Sequence, residues 1–116
     1  MSSPETLQEI PRRMVGSEPG FSPPDALAAI RLCTRLGVAV LGFDVFEQRA
    51  DGIHAAGTST YDQRESFRDR LTEGEWKRFV DYCNSVAEEC VKSPTFGSED
   101  LLVLTTSTWA EYPRKR

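Results

Sequence analysis

A single histidine, His54, in 116 residues leaves little room for the chemistry that imidazole usually carries. A His-built metal centre is excluded. General-base catalysis at His54 would need a nucleophile or carboxylate in reach, and Asp51 is its nearest acidic neighbour in sequence, so His54 reads as an exposed structural residue beside a turn. Cysteine is also sparse: Cys33, Cys83 and Cys90 are odd in number and sit inside apolar patterns, where a disulfide framework would place an even set in loops. They read as reduced core thiols. No glycine-rich phosphate loop occurs, and no apolar run approaches the roughly 18 residues of a membrane span. The start lacks a basic stretch followed by an apolar run, so a cytoplasmic location is expected.

Basic residues are in deficit. There are 14 Lys and Arg against 18 Asp and Glu, a formal charge of -4, and three of the cations form the tail Arg114-Lys115-Arg116. Without that tail, 11 basic residues face 18 acidic ones. Such a body repels phosphate backbones and attracts basic surfaces, which argues against nucleic acid as a partner.

What is present suits one domain. A chain of this length, 39% hydrophobic, buries roughly 65% of its unfolded surface without disulfide staples. Residues 1–21, with Pro4, Pro11, Pro19, Gly16 and Gly20, show no sustained period and are expected to be an arm or linker, although Leu7, Ile10, Met14 and Val15 are close enough for a short turn to dock. Residues 22–112 are expected to form the domain and 113–116 a basic tail. Ser22 as N-cap, Pro23 at the first helical position and Asp25 in the first turn open a helix that runs to Leu36 and stops at Gly37. Leu27, Ile30 and Cys33 form its apolar stripe, widened by Ala26, Ala29 and Leu36.

Val38 to Gln48 is rich in β-branched and aromatic residues and reads as a central strand, with Ala39, Leu41, Phe43 and Val45 on one face and Val40, Gly42, Asp44 and Phe46 on the other. A turn at Asp51-Gly52 returns the chain through Ile53 to Thr60, a weakly apolar edge strand. The charged connection from Tyr61 to Leu71 leads to a capping box, Thr72-Glu73-Gly74-Glu75. Trp76, Phe79, Val80, Cys83, Val86, Ala87, Cys90 and Val91 then recur at three and four, the strongest period in the chain, until Ser93-Pro94. Leu101 to Trp109 is the third strand. The expected fold class is α+β: a small two-layer domain in the order helix-strand-strand-helix-strand, its three-stranded, mainly antiparallel sheet ordered 2-1-3 and packed by two helices.

Among polar residues, Asp44 stands out. Mid-strand between Phe43 and Val45, it is either a solvent-facing acid on a half-open sheet or an anchor for a basic partner. Glu47, Asp62, Glu65 and Asp69 would extend it into an acidic rim, or Arg64, Arg68 and Arg70 neutralise that loop locally. Trp76 and Trp109 read as core or core-edge residues rather than a stacking platform, since a nucleic-acid binder would set its aromatics among Lys and Arg. Phe46, Tyr61 and Tyr112 offer interface area.

The run Gly37-Val38-Ala39-Val40-Leu41-Gly42-Phe43-Asp44-Val45-Phe46, the turn at Asp51-Gly52, the exit Ser59-Thr60-Tyr61-Asp62, the helix bearing Trp76, Phe79 and Val80, and Leu101-Leu102-Val103-Leu104 together resemble the Imm40 class of bacterial immunity proteins, a polymorphic-toxin immunity family. The likeness runs in order from Pro24 to Trp109. It departs after Tyr61-Asp62, where the family has an aromatic-rich segment and this chain has Gln63-Arg64-Glu65-Ser66-Phe67. The resemblance implies a protein that binds a cognate, basic toxin and occludes it, without catalysis, cofactor or metal. The resemblance places a binding role at Tyr61 and Asp62, and with the ring of Phe46 and the acidic rim of Asp44, Glu47, Glu65 and Asp69 these make up the expected contact set. Two other readings remain open: a homodimeric scaffold or regulatory domain pairing through the same face, and a small enzyme using Asp44 with Glu47 or His54.

Overall fold

A computed structural model describes residues 5–60, 73–92, 96–97 and 99–111. Among these, a short 3-10 turn (Leu7–Glu9) precedes β1 (Arg13–Val15), β2 (Glu18–Gly20), α1 (Pro23–Leu36), β3 (Ala39–Arg49), β4 (Gly52–Thr60), α2 (Glu73–Val91) and β5 (Asp100–Ser107). The fold is α+β, as the sequence pattern indicates. Strands β4, β3 and β5 form an antiparallel sheet in that order, with β3 central and β4 on the outside. The 2-1-3 arrangement follows because α2 carries the chain from the outer strand back across to the far side of β3.

Helix α1 begins where Pro23 and Pro24 preset the backbone and ends where Gly37 turns left-handed, φ 74°. The stop is a Schellman pair: the Val38 N–H donates to the Cys33 carbonyl at 2.8 Å, and the Gly37 N–H to the Thr34 carbonyl at 3.3 Å. Its start differs from the expected cap. Ser22 Oγ donates to Asp25 Oδ2 at 3.0 Å and makes no bond to the helix backbone, whose first two residues are prolines with no N–H to offer. The buried stripe is Ala26, Ala29, Ile30, Leu32 and Cys33. Leu36, expected in it, is 55% exposed at the last position.

Strand β3 does not alternate evenly. Its register against β5 shifts between Val40 and Gly42, leaving Leu41 as the extra residue of a bulge. The whole stretch from Ala39 to Phe43 is consequently buried. Val40, expected to share a face with Asp44, packs instead with Phe43 in the larger core cluster, alongside Ala26, Ala29, Ile30 and Cys33 of α1, Ala87 and Val91 of α2, and Leu102 of β5. Ala39 and Leu41 join a second cluster under the first half of α2, with Trp76, Phe79, Val80 and Cys83. Trp109 closes that cluster, its ring 5.6 Å from that of Trp76.

The segment expected to be an arm or linker is ordered onto the domain over its described part. Ile10 and Phe21 are buried in the larger cluster. Phe21 exchanges backbone bonds with Leu102 at 2.9 and 2.7 Å, extending the free side of β5. Arg12 stacks over the Phe21 ring at 5.6 Å, and Arg13 donates to Gln48 of β3. Gly20 is fitted tightly, since a β-carbon there would lie 3.2 Å from Leu101 Cβ and 2.9 Å from Val15 Cγ2.

Candidate interaction surface

The junction between α1 and β3 is held by two side chains of α2. Trp76 Nε1 donates to the Gly37 carbonyl at 2.8 Å. Asn84, a polar residue on the core face of α2, is 1% exposed and fully engaged. Its Oδ1 accepts from the Val40 N–H at 2.7 Å, while Nδ2 donates to the Val38 carbonyl at 3.0 Å and to Thr34 Oγ1 at 2.9 Å. The backbone at the start of the bulged strand would otherwise be buried unpaired. Asn84 thus answers a need that an apolar residue could not. The sequence signal was there, as Asn84 falls four residues after Val80 and one after Cys83, inside the stripe.

This clamp sets how β3 leaves the core. From Asp44 onward the strand is half-buried to exposed. Val45 packs against the larger cluster, so Asp44 and Phe46 point to the opposite face. There Asp44 lies between Val103 and Thr58, and Phe46 between Leu101 and Ala55. Leu101 and Val103 are buried and belong to neither helix-side cluster, so this second face is apolar toward β5 and open toward Ala55. Glu47 is not beside Asp44. Alternation turns it to the other face, where it pairs with Arg49 at 3.0 Å. Of the expected contact set, Asp44 and Phe46 share a surface, Glu47 stands apart, and Tyr61, Asp62, Glu65 and Asp69 lie outside the described residues. So do Tyr112, the capping-box Thr72, Ser93-Pro94 and the basic tail.

At the hairpin tip Arg49 pairs with Gly52, and His54 Nε2 sits 2.8 Å from Asp51 Oδ1, both side chains exposed to solvent. Sequence proximity had marked this pair; no nucleophile accompanies it among the described residues. Cys33 and Cys83 are buried, and burial pushes the Cys33 thiol up to about 11. Cys90 is only partly buried. No three His, Cys, Asp or Glu side chains are placed to hold a metal ion among the described residues. A shallow hollow of about 330 Å³ on α2 is lined by Ser85, Glu88, Glu89 and Lys92, but Glu88 pairs with Arg31 and Glu89 with Lys92, as on an ordinary solvated helix face. No described helix is long and apolar enough to cross a membrane.

Fold and surface together define a small α+β domain that presents a carboxylate and an aromatic ring on the outer half of a clamped central strand. Compared with known families, curated proteins and solved structures, the chain matches none.

Proposed function

We propose that the protein is an inhibitory binding module, a cytoplasmic immunity protein that neutralises a basic protein toxin by covering it, without catalysis or cofactor. The observation that supports this reading is the pairing of Asp44 with Phe46 on one face of the central strand, beside the small residue Ala55. A ring next to a carboxylate suits a basic, partly apolar partner surface: the ring supplies contact area and the charge supplies orientation. The excess of 18 acidic over 14 basic residues favours rapid encounter with a cationic protein.

The test is a pull-down of the product of the gene immediately upstream, combined with rescue of cells that express it. Binding and rescue support the reading; absence of both overturns it. Given binding, Asp44→Lys should slow association and flatten its dependence on salt, whereas Phe46→Ala should mainly speed dissociation. An association rate indifferent to salt and to Asp44→Lys would rule out electrostatic capture.

A further inference from the structure

The open face of β3 does not end at Phe46. Gln48 follows on the same side by alternation, and its amide is held from both ends: Nε2 donates to the Glu99 carbonyl at 2.9 Å, which leaves Oε1 to accept from Arg13 Nη1. Arg13 reaches this face because β1 and β2 lie against it. It pairs in register with Gly20, and Gly20 is so close to Leu101, the cross-strand neighbour of Phe46, that a β-carbon there would stand 3.2 Å from Leu101 Cβ. The N-terminal segment thus brings a guanidinium to the surface that carries Asp44 and Phe46. That cation is exposed, and among the described residues it bonds to the neutral amide of Gln48 and to no carboxylate. A carboxylate, a ring and an amide-held cation therefore follow one another at positions 44, 46 and 48, the first and last roughly 13 Å apart along the strand.

We infer that Arg13 is a specificity-determining residue of this contact face: the partner offers it an acidic side chain, separated by an apolar patch from the basic group that meets Asp44. The inference rests on the toxin-binding reading and narrows its partner. An acidic body attracts cationic proteins in general. A cation set beside Phe46 turns away those that are basic throughout the contact, because it would meet like charge at close range. A partner with an acid in that place gains instead. Gln48 is the positioning residue, since an arginine already held by a fixed amide has less rotamer freedom to lose on binding.

Association and dissociation rates with the product of the gene immediately upstream, measured for Arg13→Glu, Asp44→Lys, Arg13→Gln, Gln48→Ala and the last two combined, test it. Arg13→Glu should quicken association, because it adds negative charge, yet raise the dissociation rate roughly tenfold. Asp44→Lys should slow association, so two reversals on one face move the on-rate in opposite directions. Arg13→Gln and Gln48→Ala should each speed dissociation, and the double variant should add little to Arg13→Gln alone. All should melt like the parent. If Asp44→Lys weakens binding and Arg13→Glu leaves dissociation unchanged, the inference falls and the toxin reading stands. A loss of binding that tracks a fall in melting temperature would make Arg13 a structural residue and overturn the inference too. Additive effects at Arg13 and Gln48 would remove the positioning role of Gln48. A parent that does not bind, or rates indifferent to both charge reversals, would overturn the toxin reading as well.

Discussion

The start of β3 and its far half are the same strand in different circumstances. From Ala39 to Phe43 every residue is buried, and α2 holds the neighbouring backbone through Trp76 and Asn84. From Asp44 to Arg49 the strand loses that cover and ends in a hairpin whose polar contacts are between exposed side chains, Glu47 with Arg49 and Asp51 with His54. Stability therefore concentrates at the clamped end. The open end carries little of it, which leaves its residues free to be chosen for contact rather than for packing.

The largest effect should come from the clamped end. Phe79 is fully buried, 5.4 Å from the Trp76 ring, in the cluster that covers Ala39 and Leu41. Phe79→Ala should cost about 3–5 kcal/mol in denaturant unfolding. A loss under about 1 kcal/mol, the scale of a surface change, would show that the cluster is not the base of the fold. Asn84→Leu comes next. It fits the stripe but strands the Val40 N–H and the Val38 carbonyl, for about 2–4 kcal/mol. Asn84→Asp separates volume from bonding. The introduced carboxylate still accepts from Val40 but faces the Val38 carbonyl without a proton, so its folded pKa rises above the unfolded value. The variant should be weakest at neutral pH and recover stability as pH falls through that raised pKa. An Asn84→Leu variant as stable as the parent would erase the contrast between the two ends.

Much of this architecture was legible in local sequence. Pro23 and Gly37 bracket α1, the Asp51-Gly52 turn marks the hairpin, and the spacing from Trp76 to Val91 yields α2 together with most of its buried face. Strand order then follows from connection geometry. The misses share a cause, which is dependence on partners distant in sequence. Leu41 becomes a bulge only because of how β3 pairs with β5, and that bulge moves Val40 away from the Asp44 face. Phe21 and Ile10 lack any local period, yet they find their place against Leu102 and α1. Asn84 falls inside the stripe, yet it has no local signal of its role, because the Val40 N–H it accepts from lies 44 residues away in sequence. On the candidate surface, alternation alone was enough to separate Glu47 from Asp44 and Phe46.

A subtler difference should appear in alkali. Burial holds the Cys33 thiol up to about 11, against 9.0 for the free group. A raised folded pKa means that the native state keeps its proton longer than the unfolded chain. Its contribution is therefore intact below about pH 9 and is lost progressively toward pH 11. Cys33→Ala should lower stability at neutral pH yet flatten the decline between those limits, measured as the urea midpoint against pH. Thiol labelling should follow the same division, with partly buried Cys90 reacting before Cys33 and Cys83, which wait for unfolding. Rapid native labelling of Cys33 would contradict its burial.

The smallest effects should be alike at both ends, which is what makes them useful. Arg31 reaches Glu88 across the two helices at 3.2 Å, and Arg49 reaches Glu47 at 3.0 Å on the hairpin. The two arginine side chains are 57% and 56% exposed and their partners Glu88 and Glu47 25% and 45%, so solvent screens both pairs. Arg31→Ala and Arg49→Ala should each cost less than about 1 kcal/mol, and high salt should reduce even that. Equality here matters because the clamped end is held by buried rings and a satisfied buried amide rather than by charge. If Arg31→Ala proved as damaging as Asn84→Leu, the helices would be joined by their ion pair, and the clamp at Gly37, Val38 and Val40 would be a consequence of that join instead of its cause.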